Sequence, residues 1–216
     1  MQKYWFIIFL LNVVIGSQAL IGQNENKWEF KNKKDGVETY FRKNAEVYEL
    51  KLVASIKTSL SGINLLFSEP EHYAQWGYKV SYAKLLKKVS ETEIYYYTRL
   101  DFPWPMDDRD VIMHSVMEQD PVTKKTIAKS VSVPDYLPEV KGCVRMRQST
   151  TQWTMIPGEG GWLYVEYYVN SSPGGTIPDW MVNMAIDVGP RETVKAIRKF
   201  VQQGKYQNAK LAHLID

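Results

Sequence analysis

Residues 101–113 read DFPWPMDDRDVIM. Two prolines flank a tryptophan, aspartates crowd an arginine, and apolar residues resume at Val111. Neither Pro103 nor Pro105 can donate to a strand ladder, so one strand ends before them and another starts near Arg109. The flanking segments, Glu93–Leu100 and Arg109–Glu118, are rich in the aromatic and β-branched residues that favour strands. The stretch is therefore a strand-to-strand connection. Arg109, with Asp107, Asp108 and Asp110 beside it, reads as a structural salt-bridge cluster at that turn rather than a catalytic group.

Outward from this turn the chain is mostly strand. Upstream, Trp28–Lys31 and Val37–Arg42 flank a Lys33–Gly36 turn, and Tyr48–Ile56 alternates with Tyr48, Leu50, Leu52, Ala54 and Ile56 on one face. Ser59 or Ser61 caps a short helix through Phe67, and a second short helix spans Pro70–Gln75. Further strands are expected at Val80–Val89, Thr126–Val133, Cys143–Thr154 and Trp162–Val169. Turns at Asp120-Pro121 and 157–161 separate the later ones, giving an antiparallel meander. Pro173-Gly174-Gly175 ends the sheet and Pro178 opens a long helix. Ile177, Trp180, Met181, Met184, Ala185 and Val188 recur there at helical spacing. Pro190 bends or divides that helix, and Val194, Ile197, Phe200 and Val201 continue the apolar stripe. The fold class is α+β.

Composition narrows the function. The 216 residues suit one sizeable domain, and a net charge of +3 is too small to argue for a nucleic-acid partner. Cys143 is the single cysteine, so no internal disulfide forms, and it reads as a small buried strand residue. At the N-terminus, Lys3 precedes an apolar run from Tyr4 to Ile15, and Gly16-Ser17-Gln18-Ala19 follows. That pattern predicts a secretory signal over residues 1–19 and export to the periplasm or the outside. The run is shorter than the ~20 residues that span a bilayer. The remaining expected divisions are a linker over 20–26, one domain over 27–205 and a tail over 206–216. His72, His114 and His213 are far apart, and no nucleophile, zinc or phosphate-loop motif occurs. No catalytic residue, metal or cofactor is expected. Met113, Met117, Met146, Met181 and Met184 lie on elements that would enclose a space between sheet and helix. They either fill a core or form an adaptable wall.

Three blocks carry a family resemblance. Phe102-Pro103-Trp104-Pro105-Met106 followed by Arg109-Asp110-Val111 resembles the signature of START (StAR-related lipid-transfer) domains, nearest the phosphatidylcholine-transfer subgroup. Ser130–Pro134 leading to Lys141–Arg145 resembles that family's loop before a valine-arginine strand. Ser172–Asn183 resembles its approach to the last helix. The resemblance runs over about residues 27–205. It implies a helix-grip fold, in which a curved antiparallel sheet wraps a C-terminal helix around a lipid-sized cavity. It implies further that the Val133–Gly142 loop and the last helix form the gate.

On this basis the chain is expected to be a monomeric, non-enzymatic binder of one lipid or sterol-like molecule, touching a membrane surface transiently. The alternative is a cyclase- or hydrolase-like enzyme using the same cavity. Alternation places Met113, Ser115 and Met117 on one face, and Met146, Gln148 and Thr150 on one face. The opposite facing would bury Arg145 and Arg147 unpaired, at several kcal/mol each. Tyr96 and Thr98 on the preceding strand, and Trp180, Met181 and Met184 on the last helix, complete the expected lining with Tyr73 and Trp76. The phosphatidylcholine subgroup carries an arginine and an aspartate around its equivalent of Trp76. Here those positions hold Tyr73 and Gly77, leaving aromatic faces for a cation.

Overall fold

The structure is a computed structural model, and it describes residues 27–44, 47–175, 177 and 188–216. Ten strands form one sheet: β1 (Glu29–Lys34), β2 (Val37–Asn44), β3 (Val47–Lys57), β4 (Val80–Lys88), β5 (Glu93–Leu100), β6 (Asp108–Gln119), β7 (Thr126–Ser132), β8 (Cys143–Arg145), β9 (Gln148–Pro157) and β10 (Trp162–Ser172). Their spatial order is β1-β2-β3-β10-β9-β7-β6-β5-β4, with β8 set beside β6. Every pairing is antiparallel except β6 with β8. The α-helices among the described residues are α1 (Leu60–Phe67), α2 (Tyr73–Trp76), α3 (Gly189–Phe200) and α4 (Gly204–Gln207). The expected signal segment and the first part of the expected long helix, residues 178–187, lie outside the described residues.

The main core lies on one face of the sheet. Leu52, Ala54 and Ile56 of β3 alternate inward, paired with Tyr167, Val165 and Leu163 of β10. Leu60, Ile63 and Leu66 of α1 and Val194 and Ile197 of α3 join the same cluster. Ser59 starts α1, its hydroxyl accepting from Gly62 N at 3.0 Å. That frees Ser61 for another task. Its backbone N–H and hydroxyl both donate to the Asp216 carboxylate, at 2.7 and 2.9 Å. Pro190 occupies the first turn of α3, where its missing N–H costs nothing.

The last residues lie along the domain. Tyr206 and Ala209 are buried, and Gln119 at the end of β6 grips Ile215 through two hydrogen bonds of 2.8 Å. At the other rim, β4 carries Lys84, Lys87 and Lys88 and two register shifts. Both features discourage further strand addition.

One expected strand is two. Chain pairing stops at Met146-Arg147, separating β8 from β9. β8 runs parallel to the start of β6, with Arg145 opposite Asp110, and the chain then crosses to pair β9 with β7 and β10. Alternation cannot be counted across such a break.

Candidate functional site

The opening segment anchors the mouth of the fold. Its acids and arginines separate into three attachments rather than one cluster. Asp108 accepts from Phe102 N at 3.0 Å and pairs with Arg99 at 2.6 Å, closing the turn. The Phe102 N–H bond, aided by Arg99, holds the Asp108 carboxyl below the usual carboxylate range. Arg109 is buried and, among the described residues, pairs with no carboxylate. Its guanidinium donates to the carbonyls of Asp107 (2.5 Å), Pro173 (2.8 Å) and Gly174 (3.2 Å), and lies over the Phe102 ring. Gly174 and Gly175 have φ of +69° and +67°, a backbone form that favours glycine. Arg109 thus fixes the chain leaving β10, which corrects the expected acid–arginine cluster.

Asp110 makes the third attachment. Arg145 Nε and Nη2 each donate to its carboxylate at 2.9 Å, and both side chains are about 1% exposed. The remaining donors of Arg145 reach the carbonyls of Pro134 (2.5 Å), Leu137 (3.0 Å) and Pro138 (3.1 Å). Arg145 is therefore buried, contrary to the expectation that burial would leave it unpaired. The sequence argument priced an unpaired ion. The fold supplies a bidentate partner and three carbonyls. Arg147, as expected, is exposed, pairing with Asp135 and Glu139.

These contacts hold the 133–142 loop on the convex side of β5 and β6. There Tyr136 stacks on Tyr95 at 5.0 Å, and Tyr95 stacks on His114 at 4.3 Å. Ile112 is fully buried on that side, which explains an apolar residue at an outward position. Between β8 and the chain after β10 lies a cleft of about 500 Å³, lined by Cys143, Val144, Gln148, Ser172 and Gly174 among others. At this end Trp104 is 92% exposed, and Tyr136, Leu137 and Val140 are partly exposed.

The concave wall follows from strand register. Tyr96 is opposite Met113, Thr98 opposite Val111, and Ser115 and Met117 lie further along the same face of β6. Met146 packs with Val111 and Met113 near the mouth. The structure thus brings Tyr96, Thr98, Met113, Ser115, Met117 and Met146 to one side. Gln148 and Thr150 are a correction. They alternate with Ser149 and Thr151, and it is the latter pair that lies opposite Ser171 and Val169 on the concave face. Tyr73 and Trp76 belong to the packed core, where Tyr73 donates to the Phe67 carbonyl and meets Tyr96 edge-on at 5.3 Å. Trp180, Met181 and Met184 lie outside the described residues.

Sequence reasoning missed four wall residues: Ser130, Thr151, Trp153 and Tyr167. Trp153 and Tyr167 stack at 4.0 Å across β9 and β10. Ser130 lies opposite both Ser115 and Thr151. Alternation within Trp162–Val169 could have found Tyr167. The β9 residues needed a count restarted at Gln148.

The electrostatics of this wall are distinctive. Tyr96 and Tyr167 keep some accessible surface, yet burial pushes both phenols above their ordinary pKa. Apart from Arg109, the inward positions of β5, β6, β7, β9 and β10 carry no charged side chain.

Comparison with known proteins is consistent with this geometry. The START domain family model matches residues 12–207. An uncharacterised Pseudomonas aeruginosa protein, PA1579, is 27% identical over 201 residues, spanning 90% of this chain and 98% of its own. Bovine phosphatidylcholine transfer protein is 26% identical over 82% of this chain and 85% of its own. The crystal structure of a STAR-related lipid transfer protein fragment from Xanthomonas axonopodis superposes with a TM-score of 0.74 at 30% identity. It covers 82% of this chain and 99% of that one. Human STARD10 shares the fold, with a TM-score of 0.67 at 20% identity over 81% of this chain and 74% of that one.

Proposed function

We propose that this chain, which belongs to the START domain family, holds one lipid or other hydrophobic molecule between its concave sheet and C-terminal helices and carries it without chemical change. The observation that supports this most directly is the partly accessible, desolvated wall of Tyr96 and Tyr167, with half-buried Ser115, Met117 and Thr151 between them and the strand edges. Burying apolar ligand surface there yields ~25 cal/mol per Å², enough to hold a single lipid out of water.

A carrier is favoured over an enzyme by where the acid–base groups sit. His114 bonds Glu93 at 2.8 Å, but on the convex face. His72 bonds Gln75 on an exposed helical turn. Neither reaches the concave wall. Among the described residues, no group of histidine, cysteine and acids could hold a metal.

Membrane contact is proposed at the mouth, where Trp104, Tyr136, Leu137 and Val140 project beside the cleft. Tryptophan and tyrosine suit the membrane–water boundary. No helix among the described residues is long and apolar enough to cross a bilayer. Export through residues 1–19 and a monomeric state complete the proposal.

Native mass spectrometry of the purified protein, followed by organic extraction, tests the reading. A reproducible adduct of lipid mass is expected, together with uptake from labelled vesicles. A clean ligand-free mass with no uptake overturns it. The same spectrum gives the mature N-terminus, and a mass that retains residues 1–19 refutes cleavage.

A further inference from the structure

The concave wall is sorted by polarity along its length. Next to the mouth, Val111, Met113 and Met146 form an apolar group. Beyond it, strand register aligns Ser115 of β6, Ser130 of β7 and Thr151 of β9 in one row. The next row inward returns to apolar and aromatic groups, with Met117, Ala128, Trp153 and Tyr167 side by side. A belt of hydroxyls two rows deep therefore crosses the wall, with Ser132, Ser149 and Ser171 in the row of Met113 and Ser115, Ser130 and Thr151 in the next.

The hydroxyls in and near this belt differ in what they already do. Ser132, Ser149 and Ser171 are occupied at the strand break. Ser132 Oγ donates to the Arg147 carbonyl and accepts from Ser149 N, both at 3.0 Å, and the Ser149 and Ser171 hydroxyls meet at 2.5 Å. The Ser130 hydroxyl lies close enough to the Tyr96 phenol to influence it. Among the described residues, neither Ser115 nor Thr151 has a side-chain hydrogen bond, and both keep accessible surface. They flank Ser130 as two unused donor–acceptor groups on a half-buried wall.

Charge decides what this belt suits. A phosphate or carboxylate carried into such a space needs a cation, and a quaternary ammonium needs an acid or an open aromatic cage. Among the described residues, the inward strand positions carry no acid and no uncommitted cation, and their larger aromatic rings are paired, Trp153 with Tyr167 and Tyr96 with Tyr73. Arg109, the one inward guanidinium among the described strand residues, is committed to three carbonyls. Tyr73 and Trp76, the aromatic pair nearest the expected choline position, are packed into the core. Hydroxyls can both donate and accept, which matches an uncharged hydroxyl, ester or ketone.

We infer that the cargo is a neutral lipid, one whose polar part bears only hydroxyl or carbonyl groups and which is seated against Ser115, Ser130 and Thr151, rather than a phospholipid. This rests on the cavity reading above and narrows it to a chemical class.

The test incubates the protein with vesicles of phosphatidylcholine and phosphatidylglycerol doped with diacylglycerol and cholesterol as two neutral probes. The protein is then re-isolated and its bound lipid weighed by native mass spectrometry and extraction. Retention of either neutral probe in excess of its vesicle fraction is expected. Preferential retention of either phospholipid overturns the inference while leaving lipid carriage intact. Retention of no lipid overturns both.

A Ser115→Ala/Thr151→Val double variant is then compared with the parent. Loss of two hydrogen bonds should weaken retention of the neutral probe about tenfold. Uptake of pyrene, which has no polar group, should be unchanged, and that readout also reports whether the variant keeps its cavity. Equal retention of the neutral probe by parent and variant, with pyrene uptake intact, would overturn the seating on this belt. Should the double variant fail to fold, Thr151→Val alone is used, with about a threefold loss expected and no loss counting against the assignment.

Discussion

Removing the charge of Asp110 tests the most heavily committed interaction of the mouth. Asp110→Asn keeps the shape of the side chain but sets a neutral amide against the buried Arg145 guanidinium. Breaking a buried pair from one side costs about 3–5 kcal/mol, because the surviving ion stays out of water. Arg145 retains its contacts to the Pro134, Leu137 and Pro138 carbonyls, which should hold the loss to about 3 kcal/mol. For a chain of this size, that lowers Tm by roughly 6–12 °C. Arg145→Met removes the ion instead, and with it the donors to three carbonyls, so it should cost at least as much. The Asp110→Asn/Arg145→Met double variant should then be little worse than Arg145→Met alone, since no buried charge remains to be left unpaired. Urea and thermal unfolding of the four proteins close a double-mutant cycle, with a coupling of about 2 kcal/mol expected. Asp110→Asn within about 1 kcal/mol of the parent, or strictly additive losses, would refute the claim that this pair is a buried anchor.

Three further outcomes are expected. Trp104→Ala should weaken binding to phospholipid vesicles several-fold, up to about tenfold if the whole ring enters the boundary region. Its stability should change by less than ~0.5 kcal/mol, and unaltered vesicle sedimentation would remove Trp104 from the membrane contact. Gly174→Ala should cost about 1–2 kcal/mol, because φ is +69° and the new Cβ would lie 3.3 Å from Val144 Cγ1. Unfolding in urea reads that loss directly. Stability should also fall on acidification below about pH 4. Asp108 is held below its unfolded pKa, so its contribution is complete above that unfolded value and is lost as pH drops through the folded one. Asp108→Asn should flatten that part of a Tm-against-pH curve, and an unchanged curve would exclude Asp108 as a contributor.

The strand pattern was legible because alternation is local. Leu50, Leu52, Ala54 and Ile56 announced a half-buried strand, and their faces in the sheet agree. The turn at 101–107 was legible because proline removes a donor wherever it stands. What alternation could not carry was the break at Met146-Arg147. Its cause is non-local, since β8 leaves to lie beside the start of β6. That break moved Gln148 and Thr150 off the concave face and put Ser149 and Thr151 on it. Arg145 was misplaced for a related reason. A residue's own sequence neighbourhood does not reveal a carboxylate thirty-five positions away. Tyr73 and Trp76 were read as open aromatic faces. Their commitment to Phe67 and the core depends on how α2 meets α1, which only the tertiary packing decides.

Strand β6 holds the chain's final arm at two places. Arg109, near one end, clasps the carbonyls of Pro173 and Gly174, and Gln119, at the other, clasps Ile215. Ten residue steps of extended chain separate these two posts by ~34 Å, like the stave of a strung bow. Sliding the arm as a whole along the sheet would break both attachments at once, so one strand fixes the register of the C-terminal residues at each of its ends.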